Sequence, residues 1–327
     1  ANMILGTSTI SILILALVLD RLAGEPDWLW RRVPHPVVWF GQIIALCEKR
    51  FNRQQAHEVQ REKWGFGVIA MLMIVSIVIG WVISVVFLQM GAIGMLLEVC
   101  IVAVFLAQKS LADHVRNVAS ALRQRGLEGG RSAVAMIVGR NTETLDESGV
   151  CRAAIESLAE NASDGVMAPA FWYLFFGLPG LFAYKMLNTA DSMIGHKSPR
   201  YRAFGRASAQ LDDLANWLPA RLTACLILLT GGISDIEENA ISLPRNARLH
   251  RSPNAGWPES AMALVLGVAL GGPRVYDDDK ADEPFLNPSG RQMLSAFDIE
   301  SALKVFARAM LLCTVLVAVL AVLTLIF

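Results

Sequence analysis

The chain has 327 residues, of which 54% are hydrophobic and only 18% are charged. Soluble domains usually carry about 25% charged residues, so this composition indicates a membrane protein. The 29 basic and 29 acidic residues balance, which excludes the net positive charge typical of proteins that bind nucleic acid. The five cysteines are scattered, so neither a disulfide framework nor a zinc site is predicted.

Uncharged runs predict the membrane-spanning helices. Residues 66–88 contain no charge over 23 positions, which is long enough to cross a bilayer. Residues 309–327 form a second such run, and residues 3–19 form a shorter one. Residues 91–107 form a fourth, in which Glu98 is the one charged residue.

The charges that flank these runs predict the topology. Lysine and arginine are frequent in residues 20–65, whereas the hairpin at residues 88–91 has neither. Cytoplasmic loops of membrane proteins are enriched in these residues. We therefore expect residues 20–65 and 108–165 in the cytoplasm and the hairpin outside.

Residues 108–138 have the pattern of an amphipathic helix, followed by a glycine-rich break at Gly126, Gly129 and Gly130. A further helix is predicted to begin near Leu145, because the segment from Thr144 to Glu147 matches a capping box. One face of this helix is polar: Arg152, Glu156 and Glu160. The broadly opposite face is apolar: Cys151, Ile155, Leu158 and Ala162.

Two other apolar segments contain helix-breaking residues. Residues 166–184 include two prolines and two glycines, and residues 217–233 include Pro219 and Arg221. We expect both to be broken or re-entrant, since irregular backbone at membrane depth is tolerated where it lines a cavity. This would keep residues 139–165, 185–216 and 235–308 on one side of the membrane.

The predicted fold is that of an all-α integral membrane protein. It has about four to six transmembrane or re-entrant helices, together with cytoplasmic amphipathic helices and loops. We expect one polytopic domain over residues 1–327, with a polar cytoplasmic segment at 234–304 that contributes to the site. The acidic run at 277–283 is expected to be a solvated loop.

Residues 139–221 combine short apolar runs with an unusual number of carboxylates and amides. Three groups place such side chains three or four residues apart: Glu160-Asn161-x-x-Asp164, Asn188-x-x-Asp191 and Asp212-Asp213-x-x-Asn216. Groups with this spacing share a helix face, and Mg²⁺ prefers oxygen ligands. The pattern therefore predicts a Mg²⁺ site at Asp191, Asp212 and Asp213; the alternative is a set of helix caps and buried hydrogen-bonded pairs.

Basic residues recur in the same stretch: Arg140, Arg152, Lys185, Lys197, Arg202, Arg206 and Arg221. They suit the binding of phosphate or carboxylate groups, although anchoring at the membrane interface is an alternative. His35, between two prolines, and Asn254, in the segment from Ser252 to Glu259, are further candidates. The chain has neither a P-loop motif nor a G-x-S-x-G serine elbow.

The strings that carry a family resemblance are Gly139-Arg140-Asn141-Thr142, Arg152, Glu156, Ala159-Glu160-Asn161, Asp164-Gly165, Ala183-Tyr184-Lys185, Asn188-Thr189, Asp191-Ser192-Met193, Gly195, Arg200-Tyr201, Leu211-Asp212-Asp213 and Pro219-Ala220-Arg221. With Pro34-His35-Pro36 and Ser252-Pro253-Asn254, they resemble the adenosylcobinamide-phosphate synthases of cobalamin biosynthesis, called CbiB or CobD. Asn141 and His196 depart from the family pattern, which has Asp and Tyr there.

The resemblance implies an ATP-dependent amide ligase that uses Mg²⁺. Its substrates would be adenosylcobyric acid, a corrinoid with a free carboxylate, and aminopropanol or its phosphate, giving adenosylcobinamide or its phosphate. The enzyme would lie in the bacterial cytoplasmic (inner) membrane with its site facing the cytoplasm, where later cobalamin-assembly enzymes are potential partners. Because a carboxylate is a poor electrophile, it must be activated, and basic residues and a cation must neutralise the phosphate charge.

The expected site therefore combines two sets of residues. The expected catalytic residues are Glu160, Asp164, Lys185 and Asp191. The expected substrate and phosphate contacts are His35, Arg140, Arg152, Glu156, Asn161, Asn188, Lys197, Arg206, Arg221 and Asn254.

Two other functions are compatible with parts of this pattern. A Mg²⁺-dependent intramembrane prenyltransferase also sets aspartate and asparagine pairs against a diphosphate, although its acidic motifs are usually denser. A non-catalytic membrane sensor or transporter would bind its ligand without turnover and without requiring ATP.

Overall fold

The computed structural model describes residues 7–24, 30–276, 279–281 and 283–326. Within these residues, four helical stretches are long and apolar enough to cross a membrane: Glu58–Gln89, Ala92–Val134, Glu147–Ile194 and Ala296–Ile326. The prediction of an all-α membrane protein is confirmed.

The helices of the described ranges are α1 (Thr7–Ala23), α2 (Pro36–Phe51), α3 (Glu58–Gln89), α4 (Ala92–Phe105), α5 (Gln108–Val134), α6 (Glu147–Asn161), a π-helical segment (Ala162–Met167), α7 (Ala168–Ile194), α8 (Arg206–Leu228), α9 (Ile236–Ala247), α10 (Gly256–Leu266) and α11 (Ala296–Ile326). Four short strands follow α10: β1 (Leu270–Gly271), β2 (Arg274–Tyr276), β3 (Asp279–Ala281) and β4 (Phe285–Leu286). Strand β1 pairs antiparallel with β4, and β2 pairs antiparallel with β3.

The chain forms two compact units. The first unit comprises Ala1–Leu106, Ala168–Asn216 and Val317–Phe327, and the second comprises Ala107–Met167 and Trp217–Leu316. Each unit has its own buried apolar core. The assignment of one polytopic domain stays a prediction.

In the first unit, α3 packs closely on a kinked α7. The kink lies at Gly177, whose φ of 60° and ψ of −151° interrupt the helix two residues before Pro179. Gly80 of α3 fits against this region, since a Cβ atom there would come within 2.7 Å of the Pro179 backbone. The predicted break within residues 166–184 is confirmed.

Residues 217–233 are not one continuous helix, since α8 runs from Arg206 to Leu228 and ends inside this segment, but the helix does not break at Pro219. Proline has no backbone N–H, so the carbonyl of Ala215 loses its donor within the helix. The indole Nε1 of Trp172 donates to this oxygen at 3.2 Å and replaces the missing bond. Re-entry of residues 217–233 into the membrane stays a prediction.

In the second unit, α5 is interrupted at Gly126 alone, where φ is 65° and ψ is −160°. The predicted break also includes Gly129 and Gly130, but both are buried inside the helix. A Cβ atom at Gly130 would lie 2.3 Å from Leu122 Cδ2, so this glycine permits tight packing. The predicted break is therefore correct in place but too long.

Helix α6 begins at Glu147, and its N-cap is Asp146, whose carboxylate accepts a hydrogen bond from Gly149 N at 2.7 Å. The predicted cap at Thr144 is wrong, since the nearer aspartate satisfies the free N–H group. The predicted apolar face of Cys151, Ile155, Leu158 and Ala162 is confirmed as fully buried.

The acidic run is predicted to be a loop, yet the strand β3 occupies Asp279–Ala281 within it. Pairing with β2 satisfies backbone groups that a solvated loop would leave to water. Asp277, Asp278 and Asp282 lie outside the described residues.

Candidate functional site

The strongest polar cluster of the first unit lies between α7 and α8. Tyr184, Asn188 and Asp191 are spaced i, i+4 and i+7 on α7, so they share one face of that helix. Asp212 and Asn216 are spaced i and i+4 on α8. The two helices bring these side chains together.

A chain of hydrogen bonds joins them. The Tyr184 hydroxyl donates to Asn216 Oδ1 at 2.9 Å, and Asn216 Nδ2 donates to Asp212 Oδ2 at 2.9 Å. Asn188 Nδ2 donates to Asp212 Oδ1 at 3.3 Å. Both oxygens of the Asp212 carboxylate are therefore held in place.

Asp212 is only 7% exposed. Burial raises the pKa of its carboxyl group to about 7, and the negative charge of Asp191 adds to this effect, while hydrogen bonds from Asn188 and Asn216 oppose it. A carboxyl group with a pKa near neutrality can both take up and release a proton under physiological conditions. Such perturbed groups in polar clusters are candidates for function.

Asp191 lies close enough to Asp212 and Asp213 for their charges to interact. Partial burial raises the pKa of Asp213, and the positive charge of Lys197 opposes that rise. The loop after α7 also fixes Asp191, since a Cβ atom at Gly195 would lie 1.9 Å from Asp191 Oδ1. Gly195 is thus required for the observed position of the Asp191 carboxylate.

Over the described ranges, the structure places no group of three or more His, Cys, Asp or Glu side chains where they could hold a metal ion. Mg²⁺, however, commonly binds one or two carboxylates and completes its coordination with water and substrate phosphates. Asp191 and Asp213 are candidates for these one or two carboxylates. The three-aspartate Mg²⁺ site stays a prediction.

An apolar cavity of about 380 Å³ borders this cluster through Tyr184. Trp172, Phe176, Leu187 and Leu214 contribute to its walls. A buried polar network therefore lies beside an apolar cavity, an arrangement that is common in small-molecule sites.

Three other predicted residues of the first unit, His35, Arg206 and Lys185, are not hydrogen-bonded to Asp212. His35 Nδ1 accepts a hydrogen bond from Val37 N and caps α2, and His35 Nε2 lies 3.3 Å from Val104 O. Arg206 donates to Glu62 at 3.1 Å on the surface. Lys185 is half-buried on α7, one turn before the Asn188 position.

In the second unit, Glu156 is the centre of a buried polar group. Its Oε2 accepts from Arg140 Nη2 at 2.9 Å, and its Oε1 accepts from Gly271 N at 2.7 Å. The Glu156 and Arg140 side chains are 6% and 11% exposed. These contacts join α6, the preceding loop and β1.

Arg152 contacts the same part of the second unit. Its Nη2 donates to Gln292 O at 2.8 Å, its Nε donates to Ala269 O at 3.3 Å, and its guanidinium lies over the Phe285 ring. The predicted polar face of α6 is therefore largely used for packing, and Glu160 is its exposed end.

Glu160 and Asp164 flank the start of the π-helical segment, which contains Asp164. Asn161 Nδ2 donates to Ser157 O at 2.9 Å. Single π-helical turns are rare and frequently mark functional sites. The position of Glu160 and Asp164 at this π-helical segment keeps both as candidate functional residues.

Arg221 and Asn254 also contact each other in the second unit. Arg221 Nη1 donates to Asn254 Oδ1 at 2.6 Å, and Nη2 donates to Pro253 O at 3.0 Å. The guanidinium lies between the rings of Trp217 and Trp257, at 4.9 and 4.7 Å from their centroids. Arg221 thus fixes the turn that precedes α10.

The structure brings Asn188, Asp191, Lys197, Asp212 and Asp213 into one cluster of the first unit. It places Arg140, Arg152, Glu156, Glu160, Asn161, Asp164, Arg221 and Asn254 in the second unit. Tyr184 is a member of the cluster that the sequence-based predictions did not include. Its i, i+4, i+7 spacing with Asn188 and Asp191 is the signal that could have identified it.

Comparison with known proteins identifies the family of this chain. The sequence model of the family described as CobD/Cbib protein matches residues 13–306. A Sinorhizobium protein named cobalamin biosynthesis protein CobD is 56% identical over 309 residues, covering 93% of this chain and 95% of the relative. Relatives of the same name from Brucella anthropi and Rhodobacter capsulatus are 56% and 44% identical, covering 94% and 96% of this chain and 95% and 98% of their own lengths.

No solved structure matches the chain. The family model nevertheless spans most of its length, and the relatives align with it almost from end to end. The chain therefore belongs to the CobD/CbiB protein family.

Proposed function

We propose that this chain acts in cobalamin biosynthesis as an ATP-dependent amide ligase of the bacterial inner membrane. It joins aminopropanol, or its phosphate, to the free carboxylate of adenosylcobyric acid and gives adenosylcobinamide or its phosphate. Membership of the CobD/CbiB family and the names of the relatives support the pathway. The buried Asp212 network is the structural observation that carries the proposed chemistry.

Amide formation requires that the attacking amine lose a proton. In this proposal Asp212 accepts it, because the side-chain amides of Asn188 and Asn216 hold both of its carboxylate oxygens in the cluster. Tyr184 acts through Asn216 and is a positioning residue.

The same cluster provides charges for the phosphate groups of ATP. Asp191 and Asp213 would hold Mg²⁺, which when bound neutralises phosphate charge. Lys197, next to Asp213, and Lys185 on α7 would supply positive charge. The catalytic roles of Glu160 and Asp164, beside the π-helical segment of the second unit, stay predictions.

The decisive assay mixes the purified protein with adenosylcobyric acid, aminopropanol phosphate, ATP and Mg²⁺, and measures amide product and ADP. Asp191→Asn and Asp213→Asn should each lower turnover by about 10²–10³-fold, the effect of losing a key electrostatic group. Asp113→Asn is the matched control, since this carboxylate forms surface ion pairs with Lys109 and Arg116.

Gly195→Ala tests the same carboxylate without changing any charge. The new methyl group would overlap Asp191 Oδ1 and displace it, so turnover should fall although the protein remains in the membrane. Near-normal activity in Asp191→Asn, Asp213→Asn and Gly195→Ala would remove this cluster from the reaction.

The assay also separates the two alternatives. A prenyltransferase would consume a prenyl diphosphate and would form no amide from these substrates. A sensor or transporter would bind the corrinoid but would release no ADP.

A further inference from the structure

The second unit contains a polar cavity of about 570 Å³ that no step of the proposed reaction uses. It lies between α9 and the turn at residues 287–289, all within the described part of the chain. Its volume is in the range of small-molecule sites, but its walls are more polar than is usual for them.

One wall is formed by a single face of α9. Glu238, Ser242 and Arg245 are spaced i, i+4 and i+7, so they line up along the cavity. At 1.5 Å per residue, the backbone positions of Glu238 and Arg245 lie about 10 Å apart along the helix. The cavity therefore has a carboxylate towards one end and a guanidinium towards the other.

The two charged groups of this face have no protein partner within the described ranges. Neither the Glu238 carboxylate nor the Arg245 guanidinium forms a hydrogen bond or ion pair there, and the half-buried Asn239 amide has no hydrogen bond either. They remain available to a ligand.

The opposite wall is preformed. Asn287 has a φ of 53°, a left-handed conformation that is uncommon for residues other than glycine. It is held there because its N–H donates to Asn246 Oδ1 at 2.8 Å and its Nδ2 donates to Val268 O at 3.1 Å. Ser289 Oγ donates to Asn287 Oδ1 at 3.2 Å. Binding would not have to order this wall, which favours affinity.

We propose that this cavity binds a small zwitterion, with an oxyanion group such as phosphate on Arg245 and an amine on Glu238. The arginine fork matches the oxygens of such an anion, and the carboxylate matches a cation. Between the two ends, the Asn239 amide can donate and accept hydrogen bonds. The hydroxyls of Ser242 and Ser289 donate to Asn239 O and Asn287 Oδ1, so their oxygens can accept from an amine. The cavity lies in the second unit, whereas the Asp212 cluster lies in the first. Aminopropanol phosphate is a zwitterion of the same class, so its identity as an occupant would rest on the proposed function, but the binding test below requires no turnover.

Isothermal titration of the full-length protein in detergent tests the proposal, with O-phosphoethanolamine, ethanolamine, inorganic phosphate and ATP as probes. O-phosphoethanolamine should bind more tightly than either of its halves. Arg245→Ala should weaken its binding at least tenfold, and Arg245→Lys should restore part of it. Glu238→Gln should weaken binding of O-phosphoethanolamine but not of inorganic phosphate.

Two neighbouring variants serve as matched controls. Arg248 and Glu237 lie on or next to α9 with similar exposure but do not line the cavity. Arg248→Ala and Glu237→Gln should leave binding unchanged, and the variants at all four positions should keep the wild-type melting temperature. Equal losses in the cavity and control variants would overturn the proposal, as would a lack of saturable binding.

Tighter, Arg245-dependent binding of ATP would overturn the assignment to a zwitterion and indicate a nucleotide site. The same zwitterionic chemistry occurs in free phosphorylated amines and in phosphatidylethanolamine headgroups. Nanodiscs with and without phosphatidylethanolamine distinguish them. Competition by the lipid would identify the headgroup as the occupant, and unchanged titrations would identify a free molecule.

Discussion

Removal of Glu156 is expected to destabilise the protein strongly. This carboxylate is buried, and it accepts hydrogen bonds from Arg140 Nη2 at 2.9 Å and from Gly271 N at 2.7 Å. In Glu156→Ala, a guanidinium that is 11% exposed would lose its counter-charge and a backbone N–H would lose its acceptor. Breaking a buried ion pair in this way costs about 3–5 kcal/mol.

This loss should lower the melting temperature by on the order of 10 °C. Glu156→Gln should have a smaller effect, because its amide oxygen can still accept from Gly271 N. Arg140→Ala combined with Glu156→Ala should be less destabilised than the sum of the two single changes, since the double variant leaves no unpaired buried charge. Thermal unfolding of the detergent-solubilised protein, at one scan rate for all variants, measures these differences.

The surface pair of Arg206 and Glu62 is the control. These side chains are 54% and 35% exposed, so Glu62→Ala should cost less than about 1 kcal/mol. If Glu156→Ala melted as close to the wild type as Glu62→Ala does, the reasoning about the buried pair would be refuted.

Three further predictions concern pH, topology and phosphate binding. Because the folded pKa of Asp212 is raised to about 7 from 3.8, its contribution to stability is present below about pH 4 and is lost as pH rises through 7. Without Mg²⁺, the melting temperature of the wild type should therefore fall relative to that of Asp212→Asn as pH rises from 4 to 8, whatever the cost of setting the new NH2 group against a neighbouring amide donor. Parallel pH profiles would contradict this. For the topology, single cysteines are introduced at the exposed positions Gln55, Glu128 and Ser198 in a variant without the native cysteines. All three should react with a labelling reagent only from the cytoplasmic side, and labelling of position 198 from outside would contradict the predicted topology. Arg206→Lys should raise the Michaelis constant for ATP or the phosphorylated amine almost as much as Arg206→Ala does, whereas Lys185→Arg should retain part of the activity. Wild-type Michaelis constants for Arg206→Lys would exclude Arg206 from the site.

Much of the fold could be predicted because membrane helices are recognisable by their length and lack of charge. The uncharged run at 66–88 lies inside α3, and Gly177 breaks α7 within the predicted segment. That α8 continues through Pro219 could not be predicted, because the compensating hydrogen bond comes from Trp172, which is distant in sequence. The π-helical segment has no recognisable signal in the sequence, since its residues would equally suit an α-helix.

The site could be predicted only in part. Helical spacing correctly placed Asn188 with Asp191 and Asp212 with Asn216, and the same spacing would have added Tyr184. It could not show that hydrogen bonds join these residues across two helices. Nor could it distinguish Arg140, which is paired with a buried carboxylate of its own unit, from Lys197, which lies near Asp213. Pairing partners depend on packing, and spacing along one helix does not determine packing.

The indole of Trp172 has a consequence for the evolution of this family. A proline at 219 is harmless only while another side chain donates to the carbonyl of Ala215. The two positions should therefore change together: a relative with an ordinary residue at 219 no longer needs a donor at 172. During evolution, the donor at position 172 should therefore arise before the proline at position 219. A proline gained first would leave the Ala215 carbonyl without a hydrogen-bond donor.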